Sequence, residues 1–367
     1  MEIIKHKQWK DLRTNYSWVK DMGCVPQDPG HHAEGDVAIH TQMVLDTLIK
    51  LPGWEALDVV AQEILWTAAL MHDIEKRSTT FIEPDGSIVS PGHAKRGAMT
   101  TRQLLFTDFG VPFSIREQIV ALVRYHGLPL WLMHKPDPLK ALLEASFTVN
   151  TQWLTLLVRA DMLGRLCEDR QGMLDRIDFF EAYCIEQGCY GQPRDFASAA
   201  ARFNYFHKED VSPDYVPFEQ GTFEVILMAG LPGMGKDHYV QQHYKSLPVI
   251  SLDEIRQKHK LKPEDKSANG WVAQQAKEQA RVYLRAKEPF VWNATNITRQ
   301  MRSQLIDLFS GYGAHVTIVY IEQPFKLWQA QNRMRDASVP MNVLNKLLLK
   351  LEVPLITEAH KVVYVVK

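Results

Sequence analysis

The chain has little of what marks a membrane-spanning, secreted or disulfide-stapled protein. Nowhere in its 367 residues does an apolar run approach the roughly 18 residues a spanning helix needs. The N-terminus, MEIIKHKQWKDLR, carries basic residues with no apolar signal core behind them. Its four cysteines, Cys24, Cys167, Cys184 and Cys189, form no CxxC pair, and the last two are spaced too loosely for a zinc knuckle. A cytoplasmic location is therefore expected. No internal repeat or low-complexity tract is present. What remains, 46% hydrophobic and 23% charged, is the composition of an ordinary globular protein long enough for two or three domains.

Opposite charges nearly cancel, with a net of −1, but they are unevenly divided. From Gly221 onward there are 20 basic against 13 acidic residues, and before it 22 against 30. A basic C-terminal part attracts polyanions, and an acidic N-terminal part suits a domain that holds cations. The two parts also differ in rhythm. Apolar residues recur at helical spacing through Asp36–Leu51, Glu55–Met71, Ile115–Tyr125 and Thr151–Leu166. One interruption, TTFIEPDGSIVS at 79–90, is built around Asp85-Gly86 and predicts a hairpin. Periodicity fades over 209–221, which reads as a linker. Beyond it FEVILMA (223–229), LPVIS (247–251), PFVWNA (289–294), AHVTIVYIE (314–322) and KVVYVV (361–366) read as buried strands, with helical runs between them. That alternation predicts a mainly parallel α/β sheet after an all-α first domain, with boundaries at 1–208 and 222–367.

Gly230-Leu-Pro-Gly233-Met-Gly235-Lys236 follows the first of these strands directly and precedes a helical run. Glycines at this spacing let backbone N–H groups curl around phosphates at a helix N-terminus, and Lys236 would reach the β- and γ-phosphates of a nucleoside triphosphate held with Mg²⁺. Asp237 stands where the pattern places a Ser or Thr hydroxyl on the metal, and its carboxylate is a candidate replacement. Three further patches accompany the loop. Asp253, after the second strand, is placed to take a proton from an attacking hydroxyl, and Arg256 to pin an acceptor phosphate. Asn296, Arg299 and Arg302 follow the third strand as substrate contacts. Arg333 and Arg335 lie on a segment that would fold over the nucleotide and neutralise charge as the γ-phosphoryl moves. In this order the patches resemble the 5′-hydroxyl polynucleotide kinase branch of the P-loop phosphotransferases, over about residues 222–367. The resemblance implies Asp253 as general base, Arg256 as the acceptor-phosphate contact and Arg335, with Arg333, as lid arginines.

The first part carries His40, then His72-Asp73, then Asp161, each on or at the end of an expected helix. This is the H…HD…D order of the HD phosphohydrolase superfamily. His93 and His126 would complete a six-ligand site for two transition-metal divalent cations, with Asp73 bridging them as the catalytic carboxylate. The neighbourhoods GHHAEGDVAIHT, ALMHDIEK, SPGH and RAD resemble the HD domain attached to bacterial CCA-adding tRNA nucleotidyltransferases, over about residues 28–170. That pattern usually reads HD-x-G-K, and here Glu75 replaces the glycine. Lys76, Lys95 and Arg96 flank the ligands as candidate phosphate clamps. His31, His32, Cys24 and Glu34 are given no role. With no nucleotidyltransferase pattern ahead of the HD segment, a CCA-adding enzyme is not expected.

Taken together, the two halves resemble the bacterial HD-Pnk end-healing enzymes. That resemblance implies a bifunctional enzyme that removes 2′ or 2′,3′-cyclic phosphate at 3′ ends and phosphorylates 5′-hydroxyl ends with a nucleoside triphosphate. Its partners would be RNA or DNA ends, with a separate ligase and no membrane. The alternatives are a small-nucleotide HD nucleotidase fused to a nucleoside-type kinase, or an HD hydrolase regulated by a nucleotide-sensing P-loop module.

Overall fold

The computed structural model describes residues 2–218, 223–261, 265–334 and 338–366. The chain divides into two compact units, Met1–Asp195 and Phe196–Lys367. This division falls earlier than the fading periodicity suggests. The first domain was expected to run to residue 208, but the helix Ala199–His207 belongs to the second unit. There Arg202 donates to the His360 carbonyl at 2.8 Å, and Phe203 stacks on the His360 ring at 3.8 Å. Loss of helical rhythm after residue 208 marks the end of a helix, whereas the unit boundary follows the turn-rich stretch Gly191-Gln-Pro-Arg-Asp195. Of the expected linker, residues 219–221 lie outside the described residues.

The first unit is helical apart from β1 (Phe81–Ile82) and β2 (Ile88–Val89), an antiparallel pair with Phe81 opposite Val89. The helices that carry the site are Val37–Leu48, Val59–Met71, His93–Thr107, Phe113–Tyr125 and Thr151–Leu163. Three of them begin at residues whose side chains cap free backbone N–H groups: Asp36 takes that of Ile39, Asp58 that of Ala61 and Asn150 that of Trp153. In Val59–Met71 every residue from Ile64 to Met71 is buried. A helix apolar on all sides belongs in the interior, and its end delivers His72 and Asp73 there. Gly164, closing the helix Thr151–Leu163, lets it approach the helix Val37–Leu48 closely. A Cβ at Gly164 would come within 2.9 Å of the Val44 backbone nitrogen.

The second unit holds β3 (Glu224–Ala229), β4 (Val249–Ser251), β5 (Phe290–Asn293), β6 (His315–Glu322) and β7 (Lys361–Val366). All pairings are parallel and the order is β4-β5-β3-β6-β7. Val225 to Ala229 are buried throughout, as expected of a central strand covered on both faces. Because the chain leaves β3 toward β4 on one side and later returns to β6 on the other, a crevice opens at the carboxyl ends of these strands.

Beside that crevice lies a buried ion pair. Arg302 Nε and Nη2 donate to the two Glu358 oxygens at 2.7 and 2.8 Å, while Nη1 donates to the carbonyls of Asn296 and Glu352 at 3.0 and 2.8 Å. Arg302, expected to touch substrate, is fully buried and tied to the protein, so it is a structural residue. Replacing it with Ala would strand the Glu358 carboxylate in the interior. The expected loss is about 3–5 kcal/mol from the unfolding free energy of the second unit. Urea denaturation checks it, and an unchanged midpoint would contradict the structural assignment.

Candidate functional site

Six side chains meet in the helical unit. His40 and Asp161 project from the helices Val37–Leu48 and Thr151–Leu163, His72 and His126 cap the ends of two others, and His93 opens a fifth. All are buried except His93, which is half-buried. One device sets the chemistry of three imidazoles. The Nδ1 atoms of His72, His93 and His126 lie 2.7, 2.7 and 2.8 Å from the carbonyls of Ala69, Ser90 and Val123, each three residues earlier. A carbonyl only accepts, so each Nδ1 carries the hydrogen and each Nε2 is left as the ligand atom.

Those Nε2 atoms converge on Asp73. Its Oδ2 lies 3.3 Å from His72 Nε2 and 3.8 Å from His40 Nε2, and its Oδ1 lies 3.4 and 3.9 Å from the Nε2 atoms of His93 and His126. Asp161 Oδ1 is 3.0 Å from His40 Nε2. Three donor groups result: His40–His72–Asp161 and Asp73–His93–His126, which flank Asp73, and His32–Glu34–His40 behind the first of them. The Asp73 carboxylate faces the first two. His93 and His126 hold their Nε2 atoms 3.2 Å apart. The Nε2 atoms of His40 and His72 and both Asp73 oxygens are buried without an aligned hydrogen-bond partner. Orphaned polar atoms of this kind are costly, and imidazole with carboxylate is a donor set suited to divalent transition metals. The residues fit two such ions.

The protons follow from the surroundings. Burial, reinforced by His93 and His72, pushes the His126 imidazole down to about 3, so it is neutral at physiological pH. Burial also pushes His72 down, but Asp73 and Asp161 outweigh it and leave its pKa raised. Burial raises the two carboxyls, yet their cationic neighbours prevail and hold both well below the usual range. Lys76 leads for Asp73 and Arg165 for Asp161. Lys76 Nζ is 2.9 Å from Asp73 Oδ2 and donates to Gln27 at 2.8 Å. Arg165 grips Asp161 with two bonds of 2.9 and 2.6 Å.

Of the flanking cations, then, Lys76 stands inside the site, while Lys95 and Arg96 are exposed at its rim. Glu75, in the usual glycine position, is occupied by bonds from Thr100 at 2.9 Å, Arg77 at 3.3 Å and Ser78. The sequence reading missed Arg165 and Glu34. Glu34 Oε1 bonds His32 Nδ1 at 2.8 Å and lies 2.9 Å from His40 Nδ1, in range but turned off the hydrogen-bond line. Burial pushes the Glu34 carboxyl up, but His32, His40 and the Leu166 N–H outweigh it and hold it well below the carboxylate range. An Arg four residues after a helical Asp is the one local signal that could have found Arg165.

In the second unit the phosphate loop runs from β3 into the helix Lys236–His243. Gly230 needs to be glycine twice over: its φ is +140°, and a Cβ there would meet the Ile321 carbonyl oxygen at 2.5 Å. Gly233 and Gly235 also take positive φ, and Gly235 caps the helix. Lys236 Nζ curls back to the carbonyls of Gly230 and Leu231, both at 2.9 Å. Trp328 Nε1 pins the loop through the Pro232 carbonyl at 2.7 Å, and Asn293 donates to Asp237 Oδ1 at 2.7 Å from the end of β5. Neither Trp328 nor Asn293 was singled out from sequence.

Asp253 is exposed in the first turn of the helix Leu252–Lys258. Arg256 bonds it at 2.6 Å and bonds Asn269 Oδ1 at 3.1 Å. Arg299 and Arg333 are exposed. Asn296, expected to contact substrate, is instead buried with φ +44°, its amide donating to the Met228 carbonyl at 2.7 Å, and so shapes the turn after β5. Arg335 lies outside the described residues.

Residues 225–354, which include this loop, match the AAA domain family. The C-terminal unit carries a phosphate loop between the central strand of a parallel sheet and the helix that follows it. A nucleoside triphosphate with Mg²⁺ is the ligand such a domain implies. Over 117 residues the chain is 35% identical to the multifunctional CCA protein of Methylococcus capsulatus, covering 32% of this chain and 25% of that protein. Over 103 residues it is 36% identical to the multifunctional CCA protein of Variovorax paradoxus, covering 28% and 22%. The chain thus spans about a quarter of the length of the curated relatives it matches. A sugar kinase from Janibacter sp., unliganded, aligns with 40% of this chain and 86% of its own at 16% identity and a TM-score of 0.30. No helix among the described residues is long and apolar enough to cross a membrane.

The raised His72 pKa makes a prediction for the helical unit. A metal on Nε2 must displace the proton held there, so metal affinity should weaken as pH falls through the His72 range, by about tenfold per unit for one competing proton. His126, already neutral, should contribute nothing to that dependence. Equilibrium dialysis against Mn²⁺ between pH 5.5 and 8.5 measures it, and a flat profile would contradict the placement of His72 among the ligands.

Proposed function

We propose that the chain heals broken nucleic-acid ends. In this reading the helical unit is an HD-type phosphoesterase that removes 2′ or 2′,3′-cyclic phosphate from 3′ ends. The P-loop unit phosphorylates 5′-hydroxyl ends with a nucleoside triphosphate. The observation that carries it is the pair of donor triads facing one shared carboxylate, Asp73, in a chain that also holds a phosphate loop. The similarity to multifunctional CCA proteins supports the reading of the helical unit, where the H…HD…D motifs carry the same resemblance.

Two divalent ions, when bound, would supply a water nucleophile at neutral pH and charge for the leaving oxygen. His40, His72 and Asp161 would hold one, His93 and His126 the other, and Asp73 both. Lys76, beside Asp73, is placed to neutralise a phosphoryl oxygen. Lys95 and Arg96 at the rim suit the backbone of the strand being trimmed.

In the P-loop unit, the loop amides and Lys236 would take the phosphates, with Lys236 leaving the carbonyls of Gly230 and Leu231. Asp237, oriented by Asn293, would face the Mg²⁺. Asp253 would accept the proton of the 5′-hydroxyl while Arg256 bonds both Asp253 and the acceptor strand. Arg333, with Arg335 and Arg299, would neutralise charge along the strand and at the γ-phosphoryl. A separate ligase would use the healed ends.

Two outcomes test this reading. A short RNA bearing a 5′-hydroxyl and a 2′,3′-cyclic phosphate, incubated with ATP and divalent metals, should emerge with both ends changed. Asp73→Ala should abolish the 3′ reaction and spare the 5′ reaction, and Lys236→Ala should do the reverse. If a mononucleoside is phosphorylated as well as the oligonucleotide, the small-nucleotide alternative replaces this one. Separately, Asp253→Asn should lower single-turnover phosphorylation by about 10²–10⁴-fold with ATP affinity unchanged. Rescue by high Mg²⁺ would instead make Asp253 a metal anchor.

A further inference from the structure

Glu34 lies outside the two triads that flank Asp73, in a third donor group with His32 and His40; its side chain is only 1% exposed and both its oxygens are engaged within the protein. Oε2 accepts the Leu166 N–H at 2.9 Å, and the neighbouring Ala33 N–H donates back to the Leu166 carbonyl at 2.8 Å. This exchange clamps an irregular loop to the segment that follows the helix carrying Asp161. The position of Glu34 is therefore fixed relative to Asp161 as well as to His40. On Oε1, His32 Nδ1 takes one side at 2.8 Å, and His40 Nδ1 stands 2.9 Å away on the other. The His32 ring lies edge-on to the His40 ring with centroids 4.7 Å apart, which limits how His40 can turn.

The four imidazoles of the site are therefore not equivalent. His72, His93 and His126 face neutral carbonyls through Nδ1, whereas His40 faces a carboxylate. A carboxylate behind an imidazole fixes its tautomer, orients its ring and raises its strength as a ligand. We infer that Glu34 is the positioning residue of the His40–His72–Asp161 triad, keeping the hydrogen on His40 Nδ1 so that this triad binds its divalent ion first and more tightly. The inference rests on the metal-centre reading proposed above. With a cation on its Nε2, a small turn of the His40 ring would bring Nδ1–H into line with Glu34.

The test uses the full chain stripped of metal and titrated with Co²⁺, following the ligand-field absorption bands and bound metal by equilibrium dialysis. The wild-type chain should take up two ions in distinguishable steps. Glu34→Ala should weaken the tighter ion by about 10–100-fold and alter its bands, leaving the weaker ion unchanged. Glu34→Gln keeps the shape and one acceptor oxygen, so its loss should be smaller, and it serves as the test should the Ala variant fail to fold. His93→Ala should weaken the other ion instead. The inference is overturned if Glu34→Gln and Glu34→Ala leave both ions unaffected, or weaken both alike. It is also overturned if the wild type binds a third ion that Glu34→Ala removes, since Glu34 would then be a ligand itself. Wild-type protein that binds no Co²⁺ sinks the metal-centre reading, and this role with it.

Discussion

Two ionised carboxylates, Asp73 and Asp161, sit almost entirely out of water at the centre of the helical unit. Each would cost several kcal/mol there if left alone. The surrounding architecture answers that cost. Lys76 and Arg165 neutralise one carboxylate each, and four imidazoles bring nitrogen ligands to the same point. The helices that deliver these groups are held by what lies behind them: the wholly buried, mostly apolar end of Val59–Met71 and the close approach that Gly164 permits. Polar chemistry at the centre is possible because an apolar shell positions it.

The P-loop unit works under a different constraint. Its sheet is parallel, its central strand is buried, and it has no room for chemistry along the strands. Its polar groups stand at the carboxyl ends: the loop after β3, Asp253 after β4 and Asn293 at the end of β5. A binding site assembled this way depends on strand register. Pairing of Ile250 with Trp292 and of Leu227 with Trp292 sets how far each strand end projects.

Features with a local period or a fixed local spacing were legible in the sequence. The helices bearing His40, His72 and Asp161 announce themselves by apolar spacing, and each of the five parallel strands lies within two residues of its expected span. The Asp85-Gly86 hairpin and the phosphate loop are short-range patterns of the same kind. What escaped depends on distant partners. Glu34 meets Leu166 across 132 residues from a loop with no periodicity, so nothing nearby marks it as part of a site. Arg302 follows a strand end where a substrate arginine could stand. Its structural role depends on Glu358, 56 residues further on. Asn296 reads as a polar tip after a strand, and only the Met228 carbonyl beneath it explains its burial. The first domain was drawn to residue 208, past the division after Asp195, for a related reason. Amphipathic spacing tells which face is buried but not against what.

The cations supplied by Lys76 and Arg165 have one more consequence. In small metal-nucleated domains the ligands repel one another until the ion arrives, and stripping the ion unfolds the chain. Here each buried carboxylate already has a permanent counter-charge from a neighbouring side chain. The helical core can therefore assemble without an ion, and an ion at Asp73 would compete with the Lys76 ammonium group already in place. On the proposed reading, metal exchange would be an event within a folded protein, and withdrawing the ion would leave the fold in place.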